Sequence, residues 1–177
     1  MVMMGQYCVG DIPFRDVYIH AMIQDGQGRK MSKSLGNGVD PLVVIDSHGA
    51  DAMRFTLANM TTDTQDVRMP VEPMELPDGR KVNTSPKFDI GRSFCNKLWN
   101  ASRFAMMNLD GADNSKFDPA RMDLADMWIL SRAARVRNSV TAQISQYKFN
   151  EPLNDLYRFF WNDLCDWYLE WIKPRMR

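Results

Sequence analysis

Along the second half of the chain, apolar residues return every three or four positions. Phe94, Leu98, Ala101 and Ala105 step by four, three and four, which predicts one amphipathic helix closed by Gly111 and Asp113-Asn114. A long second helix is predicted from a start near Asp123 to Asp126, with the stripe Ile129, Ala133, Val136, Val140, Ile144 and Tyr147. A third enters at Asn150-Glu151-Pro152 and carries Leu153, Leu156, Phe160, Leu164, Trp167 and Trp171 until Lys173-Pro174 stops it. Three such helices with short connections predict antiparallel neighbours in a bundle.

The first third reads differently. Cys8 to Pro13 has the residues of a turn. The β-branched and aromatic run that follows predicts a strand from about Val17 to Met22, and Gln24-Asp25-Gly26-Gln27-Gly28 offers a tight turn after it. Asp40-Pro41 opens a helix through Leu42, Val43 and Ile45, with Asp as N-cap and Pro at the first helical position. Gly49 interrupts it, and a further helix from Ala50 to about Met60 sets Met53, Leu57 and Met60 at helical spacing. Strand, loop and helix in this order fit the end of a Rossmann-like nucleotide domain, whose sites lie beyond the carboxyl ends of strands. With one credible strand, most of such a sheet is missing. From Pro70 to Lys87 the chain holds Pro70, Pro73, Pro77 and Pro86 and no apolar periodicity, so it reads as a connector with a short hairpin around Asp78-Gly79. The predicted division is 1–69, a connector over 70–87, and a helical part over 88–177.

The chemistry concentrates in Gly28 to Asn37. Ten residues hold the cations Arg29, Lys30 and Lys33, the hydroxyls Ser32 and Ser34, and the glycines Gly28 and Gly36. Ammonium groups act as point charges on phosphate, and hydroxyls and freed backbone N–H groups add hydrogen bonds, so such a loop can wrap a polyanion. The plain alternative is a solvated turn. In the helical half, Arg132, Arg135 and Arg137 lie off the apolar stripe, and Tyr157, Phe159, Trp161 and Tyr168 supply aromatic planes. Arginines pair phosphates and aromatics stack unpaired bases; a solvated face and a packed core are the competing readings. His20, alone on the predicted strand, reads as a packed or half-exposed structural residue, and Arg54 as solvent-facing or ligand-facing.

Composition narrows this little. Of 177 residues, 45% are apolar and 25% charged, ordinary for a globular protein, and 22 basic against 22 acidic side chains leave no net field to hold nucleic acid. An RNA surface must therefore be local. Cys8, Cys95 and Cys165 are far apart, and His20 and His48 are the only histidines, so no metal site is expected. The start lacks a signal peptide's basic and long apolar regions, and no run approaches the roughly 20 apolar residues that span a bilayer. The expectation is a soluble cytoplasmic protein with reduced thiols, no membrane partner and no DNA.

The string Lys30-Met31-Ser32-Lys33-Ser34 resembles, letter for letter, the second signature of the class I aminoacyl-tRNA synthetases. The similarity extends through Val17 to His20, Gly49 to Ala58 and Phe160 to Tyr168, and Asn96-Lys97-Leu98-Trp99-Asn100-Ala101-Ser102-Arg103-Phe104 points to the valyl branch. The resemblance implies a mainly α chain: the C-terminal end of a Rossmann-like catalytic domain, then an α-helical anticodon-binding bundle. It implies that valine and ATP, with Mg2+, form valyl-adenylate and that valine then passes to tRNA(Val). By motif, Lys33 is the ATP-phosphate ligand and Lys30 a supporting cation; Ser32 and Ser34 shape the loop, Met31 packs it, and all five line the ATP site. The same resemblance makes Arg132, Arg135 and Arg137 candidate tRNA contacts. The family's other signature, His-x-Gly-His, is absent, as are an editing domain and a C-terminal arm, and Pro70 to Lys87 is longer than the pattern. A piece of a longer enzyme, inactive alone, is the expectation. A free-standing tRNA-binding module with a relic loop, or an isoleucyl-type relative, remains the alternative.

Overall fold

The computed structural model describes residues 1–62, 65–76, 78–109, 111 and 118–175. Pro77, Asp113 and Asn114 lie outside them. Helix α1 (Val2–Val9) ends at Gly10, whose φ of 74° is the left-handed cap that lacks a Cβ penalty. Strand β1 (Ile23–Asp25) comes next, then α2 (Pro41–His48) and α3 (Ala50–Met60), and then β2 (Val67–Met69). β1 and β2 run parallel, with Ile23 opposite Val67 and Asp25 opposite Met69. A parallel pair needs a crossover, and α2 with α3 supplies it.

The strand lies at Ile23–Asp25 rather than Val17–Met22, and it is not alone, because β2 pairs with it. β-propensity forms a strand only against a partner. β2 is three residues long and reaches only Ile23 to Asp25, so Val17 and Ile19 stay 70% and 87% exposed. His20 is exposed as well.

α2 starts as expected: Asp40 accepts from the Leu42 N–H at 2.9 Å, with Pro41 at the first helical position. Val44, Met69 and Phe88 form the buried centre, and Met53, Leu57 and Met60 of α3 pack on it together with Ile23, Met31 and Val39. The hairpin is present: β3 (Glu72–Glu75) pairs antiparallel with β4 (Lys81–Thr84) around Asp78-Gly79. Asp78 accepts from the Arg80 N–H and Nε at 3.0 and 2.6 Å, which closes the turn.

Helix α4 (Lys87–Asn108) crosses α3 at Gly91, where an added Cβ would sit 2.4 Å from the Ala52 carbonyl oxygen. Beyond it Phe94 packs between Phe55 and Tyr157, with ring centroids 4.7 and 5.1 Å away. α3 has 11 residues and α4 has 22, so α3 covers about 16 Å of a helix about 33 Å long. Leu98 of the predicted stripe consequently remains exposed.

Helix α5 (Leu124–Ser145) opens with a capping box, Asp123 and Asp126 each accepting from the other's backbone N–H. Its stripe is buried at Ile129 but exposed at Ile144, and Tyr147 lies beyond the helix end. The last element is α6 (Asn150–Arg158), a π-helical stretch over Phe159–Tyr168, and α7 (Leu169–Ile172). The Leu169 N–H donates to the Leu164 carbonyl, an i→i+5 bond that widens each turn and shifts the phase of a 3.6-residue pattern. Cys165 is therefore the buried residue of this stretch, while Trp167 and Trp171 of the predicted stripe are exposed; Leu156, in α6 before it, is exposed as well. No helix among the described residues is long and apolar enough to cross a membrane.

Candidate functional site

The basic loop leaves the carboxyl end of β1 through a turn in which the Gly28 N–H donates to the Asp25 carbonyl at 3.0 Å, with Gly28 at φ 79°. Asp25 is 3% exposed and ties the base of the loop together. Its Oδ1 accepts from the Gln27 and Arg29 N–H groups at 2.9 Å each, and its Oδ2 from Arg29 Nε at 2.8 Å and Asn37 Nδ2 at 2.9 Å. The hydrogen bond from Asn37, followed by those from Arg29 and Gln27, holds this carboxyl well below the usual carboxylate range. It is a fixed anion at the root of a basic loop.

Asn37 closes the other end. It is 8% exposed; its Nδ2 also donates to the Lys30 carbonyl at 3.3 Å, and its Oδ1 accepts from the Ser32 N–H at 2.9 Å. Ser32 Oγ accepts from the Leu35 N–H and lies 3.2 Å from Ser34 Oγ, and the Gly36 N–H donates to the Lys33 carbonyl at 3.2 Å. Both hydroxyls thus act within the loop. Met31 is half-buried and packs on the Val44, Met69 and Phe88 centre, so one apolar side chain moors the loop to the core.

Lys30 and Lys33 are exposed, and neither forms an ion pair among the described residues. Arg29, by contrast, is paired with Asp25 at 2.8 Å. The arrangement is a rigid base that presents two unpaired ammonium groups, with the fixed backbone turn Lys33–Gly36 between Ser32 and Asn37. Chemically it suits a multiply charged anion approaching from solvent. Beside it, between loop and hairpin, lies an open cleft of about 430 Å³ bordered by Arg29, Gly36, Glu72 and Asn83.

The arginines of α5 are not brought together as one patch. Arg132 donates through Nε to Asp163 Oδ2 at 2.7 Å, whereas Arg135 and Arg137 are exposed and, among the described residues, their side chains bond only to Ser131 and Asn138, at 3.5 Å. The aromatic candidates are half-buried. Tyr157 and Trp161 stack at 5.4 Å within the Phe55–Phe94 group, and Tyr168 Oη donates to Asp126 Oδ1 at 2.9 Å. The freely exposed aromatics are others, including Trp99 and Trp167. Arg54 is exposed. Among the described residues there is no group of three His, Cys, Asp or Glu side chains placed to hold a metal ion.

Asp25, Asn37 and Asn83 were not singled out from the sequence. Asp25 reads as a turn residue and Asn37 as the end of the basic loop, but a loop Asp or Asn gives no sign of a partner 12 positions away.

Residues 1–70 match the family model described as tRNA synthetases class I (I, L, M and V), and residues 126–177 match the anticodon-binding domain of tRNA ligase. A valine–tRNA ligase of Parasynechococcus marenigrum (strain WH8102) is 47% identical over 99% of this chain, and one of Fervidobacterium nodosum is 42% identical over all of it. One of Rhodopirellula baltica is also 42% identical, over 99% of the chain. The chain spans about a fifth of the length of these curated relatives: 19%, 19% and 21%. Among solved structures, the LeuRS of Agrobacterium radiobacter K84, in a ternary complex with tRNA and LeuAMS, superposes over 93% of this chain and 20% of its own. Its TM-score is 0.69 at 22% identity, a likeness of fold. A class I loop at the end of a parallel strand, anticodon-binding helices after it, and this identity over the whole length agree: the chain belongs to the class I aminoacyl-tRNA synthetases, and within them it matches a stretch of the valine–tRNA ligases.

Proposed function

We propose that the chain supplies the ATP-phosphate loop and part of the anticodon-binding region of a valine–tRNA ligase, which forms valyl-adenylate from valine and ATP and transfers valine to tRNA(Val). The observation that carries this reading is the pair of ammonium groups, Lys30 and Lys33, exposed and without an ion pair among the described residues, on a loop fastened at its base by Asp25 and Asn37. In adenylate formation the valine carboxylate attacks the α-phosphate, and negative charge gathers on the departing pyrophosphate. Lys33 meets that charge and Lys30 supports it. Because Asp25 and Asn37 fix the loop before the reaction, little reorganisation is required when the charge develops. Met31, Ser32 and Ser34 complete the ATP site by holding the loop's shape, and Mg2+ arrives with the nucleotide as part of the substrate.

Arg135 and Arg137 are the α5 cations open to tRNA phosphates, while Arg132 orients the last helix through Asp163. We read 1–69 as the end of the catalytic domain, 70–87 as connector and 88–177 as the anticodon-binding part, in a cytoplasmic enzyme. The test is amino-acid-dependent ATP–pyrophosphate exchange by a ligase polypeptide of its relatives' length that carries these 177 residues. Exchange driven by valine and not by isoleucine is the expected result. Exchange driven by isoleucine, or by neither, overturns the reading.

A further inference from the structure

The Lys30–Lys33 loop is joined to the rest of the molecule at a second place, which the proposed chemistry does not use. Asn83, on β4, donates from Nδ2 to the Gly36 carbonyl at 2.7 Å and to the Gly38 carbonyl at 3.1 Å. Among the described residues these are the hydrogen bonds that link the hairpin to the loop. They reach across 47 and 45 positions of sequence and over the rim of the cleft that otherwise separates the two.

Asn83 is well held for such a task. It pairs with Pro73 in the hairpin register, and two residues later Ser85 is fully buried. The Phe88 N–H donates to the Ser85 carbonyl, and Phe88 belongs to the central apolar cluster. One end of β4 is therefore anchored in the core. The loop side is the opposite case: Gly36 sits at φ 61°, and a Cβ at Gly36 or Gly38 would meet nothing within 4 Å. Side-chain packing does not fix that stretch, so its carbonyls take their place from Asn37 on one side and Asn83 on the other.

We propose that Asn83 is a positioning residue: through the Gly36 and Gly38 carbonyls it sets the conformation in which Lys33 is presented to the nucleotide, and so couples the β3–β4 hairpin to adenylate formation. The proposal rests on the reading of the loop as the ATP-phosphate loop. An amide is required, since two carbonyls need a donor; aspartate has the same shape and offers none. Because displacement of a reacting group by about 1 Å costs up to roughly a hundredfold in rate, a partial loosening here is expected to cost on the order of tenfold.

The experiment compares wild type, Asn83→Ala, Asn83→Asp, Lys33→Ala and the double variant Asn83→Ala/Lys33→Ala in the ligase polypeptide described above. Valine-dependent exchange, the KM for valine and the thermal midpoint are measured for each. Both Asn83 variants should lose about tenfold in kcat with the valine KM and the midpoint unmoved, and the double variant should be no slower than Lys33→Ala alone, because the two residues act through one loop. Wild-type kcat in both Asn83 variants beside a slow Lys33→Ala overturns the proposal and leaves the loop reading intact. Losses that multiply in the double variant, or a fall in the midpoint that accounts for the lost rate, also overturn it. A Lys33→Ala protein at wild-type rate overturns the loop reading, and the proposal with it. Hydrogen exchange over residues 33–38 is the readout independent of catalysis: it should rise in Asn83→Asp, and no change there contradicts the coupling.

Discussion

Replacing Asn37 by alanine removes the piece that closes the loop's base. Three hydrogen bonds go: to Asp25 Oδ2 at 2.9 Å, to the Lys30 carbonyl at 3.3 Å, and from the Ser32 N–H at 2.9 Å. A hydrogen bond contributes about 1 kcal/mol net, so complete loss amounts to about 3 kcal/mol. The Lys30 and Ser32 backbone groups lie near the surface, where water replaces part of what they lose. A net cost of about 2 kcal/mol to loop closure remains, which is roughly a 30-fold rise in the open population. The effect should stay local, since the apolar centre of Val44, Met69 and Phe88 is untouched. Hydrogen exchange followed by mass spectrometry resolves this on the chain itself. The hydrogen-bonded amides of Ser32, Leu35 and Gly36 should exchange roughly 30-fold faster, with those of α3 and α4 unchanged, on the local-opening view of native-state exchange. Unchanged protection at Ser32 would refute the claim that Asn37 fastens the loop. Faster exchange everywhere would show instead that Asn37 holds up the whole fold.

Gly91→Ala should destabilise the chain although alanine is the better helix former by about 1 kcal/mol. The new methyl would sit 2.4 Å from the Ala52 oxygen and 2.5 Å from Thr56 Oγ1, and forcing α3 and α4 apart costs about 2–3 kcal/mol; circular dichroism should show a midpoint several degrees lower, and a higher one would contradict the close-approach argument. The Asp25 carboxyl is held below its ordinary value of 3.8 in the folded chain, so its contribution is complete above that value and is lost only as the pH falls through the lower folded value. Loop protection, corrected for intrinsic exchange, should therefore be flat from about pH 7 down to about pH 5, and a loss near pH 6 would show that another group controls the loop. Arg135→Glu with Arg137→Glu should weaken binding of a tRNA(Val) anticodon stem-loop and make its salt dependence shallower, by roughly 0.7 to 0.9 in logarithmic slope per lost phosphate contact. Arg132 is left in place, since a glutamate there would face Asp163; unchanged affinity in fluorescence anisotropy would put the RNA surface elsewhere.

What was legible in the sequence is what local chemistry decides. Asp40-Pro41, the Asp123 start of α5 and the Asp78-Gly79 turn each carry their own backbone partners within a few residues, and each is found where it was expected. Met53, Leu57 and Met60 also fall on the core side, because one helical turn decides their spacing. The misses depend on partners far along the chain. Val17 to Met22 has strand residues but no strand beside it, and β2 became a strand because β1 lies next to it across two helices. The π-helical stretch moved Cys165 inward and Trp171 outward, a change of period that no 3.6-residue count contains. In the site, the cations and hydroxyls stood out as a basic motif. Asp25, Asn37 and Asn83 did not, because their polar contacts appear only when residues 12 and about 46 positions apart are brought together.

On the proposed reading, Lys33 stabilises the charge that develops on the leaving pyrophosphate. In the ligase polypeptide, Lys33→Ala and Lys30→Ala are compared with wild type in valine-dependent ATP–pyrophosphate exchange, with kcat and the KM values for valine and ATP determined separately. Removing one preorganised transition-state donor costs about 3 kcal/mol, so Lys33→Ala should lose on the order of a hundredfold in kcat while the KM for valine stays near its original value. Lys30→Ala should lose less. A Lys33→Ala enzyme that keeps its kcat and shows only a raised KM would assign the residue to ground-state binding and contradict the account.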